Sequence, residues 1–147
     1  MAASSPNEWI EIMEDELPTA VVHEFLYAGE GGGVCIFAGT TRRFTGEKET
    51  DRLFYEAHNS MALKEMRALV SRATETWPVL KAVLLHRTGE VAVGQASVIV
   101  GVTTPHRDDA FLASRFLIDE LKKSVQIWKK EVYRNGSTEW VETDWES

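Results

Sequence analysis

The fold turns on the stretch Thr103-Thr-Pro-His-Arg107, continued by Asp108-Asp-Ala-Phe-Leu-Ala-Ser-Arg-Phe-Leu-Ile-Asp-Glu-Leu-Lys-Lys123 and closed by Ser124-Val-Gln-Ile-Trp-Lys-Lys-Glu131. Its middle reads as a helix. Asp108 and Asp109 suit the positive end of a helix dipole. Ala110, Ala113, Phe116 or Leu117, and Leu121 recur at three- and four-residue spacing and form one apolar stripe. Arg115, Asp119, Lys122 and Lys123 fall off that stripe. Lys122 therefore emerges at the last turn, either as a solvated lysine ending a helix or as a cation aimed at something. Beyond it, Val125 to Tyr133 reads as a strand, in which Val125, Ile127, Lys129, Glu131 and Tyr133 share one face. An ammonium in line with Val125 and Ile127 points toward the core side. It needs an anion there or a lowered pKa, unless it snorkels past the sheet edge or pairs with Glu131.

The turn before the helix has its own chemistry. His106-Arg107 lies between the end of an apolar strand and a helix start, where backbone N–H groups and the dipole favour an anion. The same dipeptide at His86-Arg87 stands at a strand end without a helix behind it, and His86 reads as structural.

Working outward, Glu8 to Met13 reads as an edge strand, and Leu17-Pro18-Thr19 introduces a helix to about Tyr27. The glycines of residues 29–33 form a loop. A strand follows them, whereas a phosphate cradle opens a helix. Val34 to Ala38 reads as a buried strand holding the lone cysteine, Cys35, as a small buried hydrophobe. It runs into the polar loop Gly39-Thr-Thr-Arg-Arg-Phe-Thr-Gly46, where Arg42 and Arg43 are either solvated or a fork for phosphate oxygens. Arg52 to Ala57 is a strand. Asn59 or Ser60 caps a helix from Met61 to about Thr76, stopped by Trp77-Pro78. Val79 to His86, Val91 to Val93 and Ala96 to Thr103 are strands, the last two suggesting a hairpin about Gly94, and Asn135-Gly136 turns the chain into Ser137 to Val141. Residues 1–7 and the acidic tail of residues 142–147 read as flexible.

The chain has 147 residues, 44% of them apolar and 10% aromatic, which fits one folded domain. A net charge of -7 and a pI near 5.1 leave no broad basic face for nucleic acid or an anionic membrane. No apolar run approaches the roughly 20 residues that cross a bilayer, and the start lacks a signal-peptide pattern, so a cytoplasmic protein is expected. One cysteine excludes an internal disulfide and a cysteine metal cage, and no metal or cofactor is called for.

Taken together, Phe37-Ala-Gly-Thr-Thr-Arg42, Tyr55-Glu-Ala57 with Met61-Ala62, His86-Arg-Thr-Gly89, His106-Arg107, and Leu121-Lys122 followed by Ile127-Trp-Lys-Lys-Glu131 form an ordered set. In order and spacing the set resembles the large, catalytic subunit of molybdopterin synthase, over about Val34 to Val141. The resemblance implies an α+β fold, the α/β hammerhead with an additional antiparallel β subdomain. It implies a central homodimer with a small ubiquitin-like sulfur-carrier subunit, ending in Gly-Gly, at each end of a heterotetramer. It also implies a reaction, in which cyclic pyranopterin monophosphate receives the dithiolene sulfurs of molybdopterin from thiocarboxylated carriers. Arg42, His106 and Arg107 suit the cyclic phosphate by charge. An external sulfur donor fits a chain with one cysteine. Position by position, Lys122 and Lys129 match the family's key lysines, and Lys130 and Glu131 fall in its substrate-contacting segment. The lysines would act together, their mutual repulsion lowering at least one pKa, so that one moves protons and the other steadies oxyanions. Gln126 stands where the family usually has proline, and Glu142-Thr-Asp144 where bacterial relatives often carry a basic residue. The alternative is a non-catalytic dimeric module that binds a ubiquitin-like partner or a phosphorylated metabolite. The arrangement expected is one cleft gathering Arg42, His106-Arg107 and both lysines.

Overall fold

A computed structural model describes residues 1–141, so the expectation for the tail lies outside the described residues. Nine strands and three helices follow in chain order: β1 (Glu8–Met13), α1 (Thr19–Leu26), β2 (Gly33–Thr40), β3 (Phe44–Thr45), β4 (Lys48–Ala57), α2 (Asn59–Thr76), β5 (Lys81–Arg87), β6 (Gly89–Ala92), β7 (Ala96–Thr104), α3 (Arg107–Ser124), β8 (Ile127–Tyr133) and β9 (Thr138–Val141). They build two sheets. The first has the order β1-β5-β7-β2, and the second runs β3-β4-β8-β9 with β6 also on β4.

The first sheet is covered on both faces, which explains why its central strands are apolar throughout rather than alternating. Ala82 and Leu84 of β5, with Val98, Val100 and Val102 of β7, turn toward α2 and α3 in a core that includes Met66, Val70, Ala113 and Leu117. Val83, Leu85 and Ile99 turn the other way, onto Val22 and Leu26 of α1. The period of two thus feeds two cores at once. β1 pairs in parallel with β5 at the sheet edge, as its weak alternation indicated.

Three expectations change. β2 is the other edge strand, not a buried one, and leaves Val34 37% and Phe37 41% exposed. Its apolar run reads as interior because a sequence cannot say which neighbour is missing. The hairpin about Gly94 does not form: β6 pairs with β4 in the second sheet, while β7 pairs with β5 and β2. The cap of α2 is His58, whose Nδ1 accepts the Met61 N–H at 3.3 Å, and Asn59 and Ser60 lie in the first turn. Residues 1–7 fold back on β1, with the Ala3 N–H donating to the Ile10 carbonyl and the terminal ammonium to that of Ile12, both at 2.8 Å.

The glycine loop acts as a spacer. Gly33 is buried against the start of α3, where a Cβ would sit 2.9 Å from the Arg107 Cα, so only glycine lets β2 come so close. The described residues contain no helix long and apolar enough to cross a membrane.

Candidate active site

The second sheet supplies one wall of a cleft through its register. Lys129 of β8 lies opposite Tyr55 of β4, and Glu131 opposite Leu53. Directly opposed residues of an antiparallel pair project to the same face. Tyr55, Leu53, Lys129 and Glu131 therefore turn together toward the first sheet, and the strand alternation read from the sequence holds for Lys129. The α3 stripe also holds: Ala110, Ala113, Leu117 and Leu121 are buried, and Lys122 emerges half-buried in the last turn.

These groups line a cavity of about 270 Å³, together with Phe37 and Gly39 at the end of β2, Arg42 in the loop beyond it, and Ser97 and Val98 at the start of β7. A smaller cavity of about 70 Å³ adjoins it and shares Tyr55, Ser97, Val98, Lys122 and Lys129, adding His86 and Val141. A larger one of about 670 Å³ meets it at Phe37 and Lys122 and runs between β2 and α3, past Cys35 and Phe111. Cys35 is half-buried on that wall, packed against the core as a small hydrophobe, with its Sγ 3.0 Å from Ser114 Oγ.

The structure separates the two arginines that sequence left equivalent. Arg43 pairs with Glu49 at 3.3 Å and stacks over Phe44, while Arg42 faces the cleft. Thr41, just before them, anchors the loop by backbone hydrogen bonds at 3.0 Å to Gln95 and Gly94.

Three groups are electrostatically unusual. Glu131 is 5% exposed, and its Oε2 is buried with no hydrogen-bond partner. A carboxylate oxygen so placed has lost its water, which makes it a ready acceptor for donors entering the cleft. The neighbouring Tyr133 hydroxyl donates to Glu139 Oε2 at 3.0 Å, and burial, then the carboxylates of Glu131 and Glu139, hold its pKa above the usual phenol range. Tyr55 is likewise raised by burial, its hydroxyl donating to Ser97 Oγ at 3.3 Å.

Of the residues singled out from sequence, Arg42, Lys122, Lys129 and Glu131 share the 270 Å³ cavity. Lys130 does not. Alternation turns it to the opposite face, where its Nζ lies 5.4 Å from the Phe54 ring centre and 5.5 Å from that of Trp140. His106 and Arg107 are exposed at the start of α3, and Lys122 closes its other end, roughly 22 Å away at 1.5 Å per residue. One protomer therefore does not bring them to the lysines. His86, read as structural, instead lies on a cavity wall with both lysines. The signal was its parity with Leu84, which places it on the α3 side of β5. Among the described residues no group of three or more His, Cys, Asp or Glu side chains is placed to hold a metal.

This fold and cleft define a class. A family model described as MoaE protein matches residues 12–124, and the chain belongs to that family. It is similar to the molybdopterin synthase catalytic subunits of Arabidopsis thaliana, 42% identical over 92% of this chain and 69% of the relative, and of Culex quinquefasciatus, 39% identical over 92% and 88%. Against the longer Drosophila melanogaster subunit it is 42% identical and spans 37% of that protein. Among solved structures it is similar to molybdopterin synthase from Staphylococcus aureus, with a TM-score of 0.84 and 30% identity, covering 95% of this chain and 98% of that one. The Helicobacter pylori complex of subunits 1 and 2 of molybdopterin-converting factor contains a chain of the same fold, with a TM-score of 0.73 at 20% identity, covering 93% and 91%.

Proposed function

We propose that the chain is the catalytic subunit of a molybdopterin synthase, a cytoplasmic sulfurtransferase. It converts cyclic pyranopterin monophosphate to molybdopterin with sulfur from the thiocarboxylated Gly-Gly end of a small ubiquitin-like carrier. One observation carries the reading: α3, β8 and the loop after β2, distant in sequence, deliver Lys122, Lys129 and Arg42 to one cavity in an acidic chain.

The chemistry follows from the groups present. The planar fork of Arg42 can bond two phosphate oxygens at once. Glu131 Oε2 accepts from N–H donors of the pterin, which restores the hydrogen bond that burial removed. The carrier's sulfur bonds to a pterin side-chain carbon as the C–O bond at that carbon breaks, its oxygen leaving as water or with the opened phosphate ester. A further water then cleaves the acyl carbon–sulfur bond, leaving sulfur on the pterin and a carboxylate on the carrier. Negative charge grows on the acyl oxygen in that step. The lysine pair divides two tasks there, steadying the oxyanion and moving protons. Two carriers are consumed per product.

His106 and Arg107 enter this scheme through a second copy. β2 starts against Arg107 at Gly33 and leaves an open edge with Val34 and Phe37 exposed, and Phe111 and Leu112 are exposed about one turn into α3; such an edge calls for a partner. In a central homodimer each copy's His106-Arg107 would meet the phosphate bound by the other.

The test is a single turnover with precursor and thiocarboxylated carrier. Product at two carriers per pterin supports the proposal. Binding of both without product would assign the chain to a non-catalytic module.

A further inference from the structure

His86 stands two residues beyond Leu84 on the same face of β5, 5% exposed, opposite Val98 on β7 and Ile12 on β1. Those neighbours are apolar. The polar groups around it come from three other elements and from β7: Tyr55 on β4, Lys122 on α3, Lys129 on β8 and Ser97. Tyr55 meets it edge-on, with ring centres 5.1 Å apart at 73°, and its hydroxyl is engaged by Ser97. The ring is pinned on its other side: Nδ1 lies 2.8 Å from the Arg87 carbonyl. A carbonyl only accepts, so Nδ1 carries the proton and Nε2 keeps a lone pair. Burial, opposed by that hydrogen bond and helped by the Lys122 charge, lowers the imidazole pKa to about 4. The ring is thus uncharged at neutral pH.

We propose that His86 is a positioning residue for Lys122, its pinned ring offering Nε2 as a neutral acceptor that directs the Lys122 ammonium across the cleft. The inference rests on the reading of this cleft as the sulfur-transfer site. An imidazole suits the task better than a carboxylate. A carboxylate in place of the His86 ring would pair with the amine and cancel its charge, whereas a neutral acceptor orients the cation and leaves that charge available, with Glu131 on the facing wall of the cleft left to the pterin.

The experiment uses the full chain, without carrier or substrate, labelled with ¹³C at the lysine ε-carbons and titrated by NMR, with the Lys122 signal assigned from Lys122→Arg. A hydrogen bond to the ammonium favours the charged amine. In His86→Leu the Lys122 midpoint should therefore fall by about one pH unit. His86→Gln places an amide oxygen near the Nε2 position and should restore the wild-type midpoint. His86→Asn, too short to reach it, should behave like the leucine variant, and serves if that variant does not fold. Single-turnover rates should follow the same order, with losses of about tenfold and the pterin KM unchanged. An unchanged Lys122 midpoint in folded His86→Leu or His86→Asn overturns the proposal, as does a glutamine variant no better than these. Because the titration needs no turnover, it can fail while sulfur transfer stands, and the reverse.

Discussion

Replacing Lys129 with methionine keeps most of its bulk and removes its charge. The side chain is half-buried on the cleft wall opposite Tyr55. A unit charge about 4 Å from a developing oxyanion contributes about 4 kcal/mol at an effective dielectric of 20. Partial exposure roughly halves that, to about 2 kcal/mol. At 1.36 kcal/mol per decade, Lys129→Met should slow sulfur transfer about thirtyfold, and a drier transition state would extend the loss toward a thousandfold. The assay is single turnover at saturating thiocarboxylated carrier, so that weakened carrier binding does not enter the rate. Lys129→Arg should retain part of the rate, since the charge survives with altered geometry. A folded Lys129→Met protein within twofold of wild type would refute the assignment.

Other outcomes follow from the same geometry. Arg42→Ala should raise the pterin KM at least tenfold, while Arg43→Ala, which breaks an exposed pair with Glu49 and a stack over Phe44, should change KM less than twofold in steady-state kinetics. Gly33→Ala drives a Cβ against the α3 backbone and should cost about 1–3 kcal/mol, a fall in Tm of roughly 3–10 °C by calorimetry. The lowered pKa of His86 gives a pH effect of fixed sign. Between the usual 6.5 and about 4 the unfolded chain binds the proton and the folded chain does not, so the contribution is complete above 6.5 and is lost as pH falls through that window. Denaturant titrations at pH 7 and pH 4.5 should show His86→Gln losing about 2 kcal/mol less than wild type, and equal losses would contradict the burial account.

Much of this was legible because periodicity is local. The stripe from Ala110 to Leu121 and the shared face of Lys129 and Glu131 need only the pitch of a helix and the pleat of a strand. What the sequence withheld was pairing between distant segments. Nothing near Val91 says that β6 leaves its neighbour β7 for β4, and nothing in Val34 to Ala38 says that one side of β2 is open. The site divides along the same line. Lys122 and Lys129 were reachable from spacing and resemblance together. The choice of Arg42 over Arg43 and the place of His86 beside the lysines depend on contacts between distant segments, whereas the turning away of Lys130 follows from the same alternation that turns Lys129 inward. The separation of His106-Arg107 from Lys122 was in the helix length all along. Reading them as one cluster overlooked that a helix holds its two ends apart.

The most direct measurement is where cyclic pyranopterin monophosphate binds in a crystal of this protein. The account expects its phosphate within about 3 Å of the Arg42 guanidinium and its ring between Tyr55, Lys129 and Glu131. Density for the precursor in the cavity past Cys35 and Phe111, with the space between Arg42 and Lys129 left to water, would contradict it.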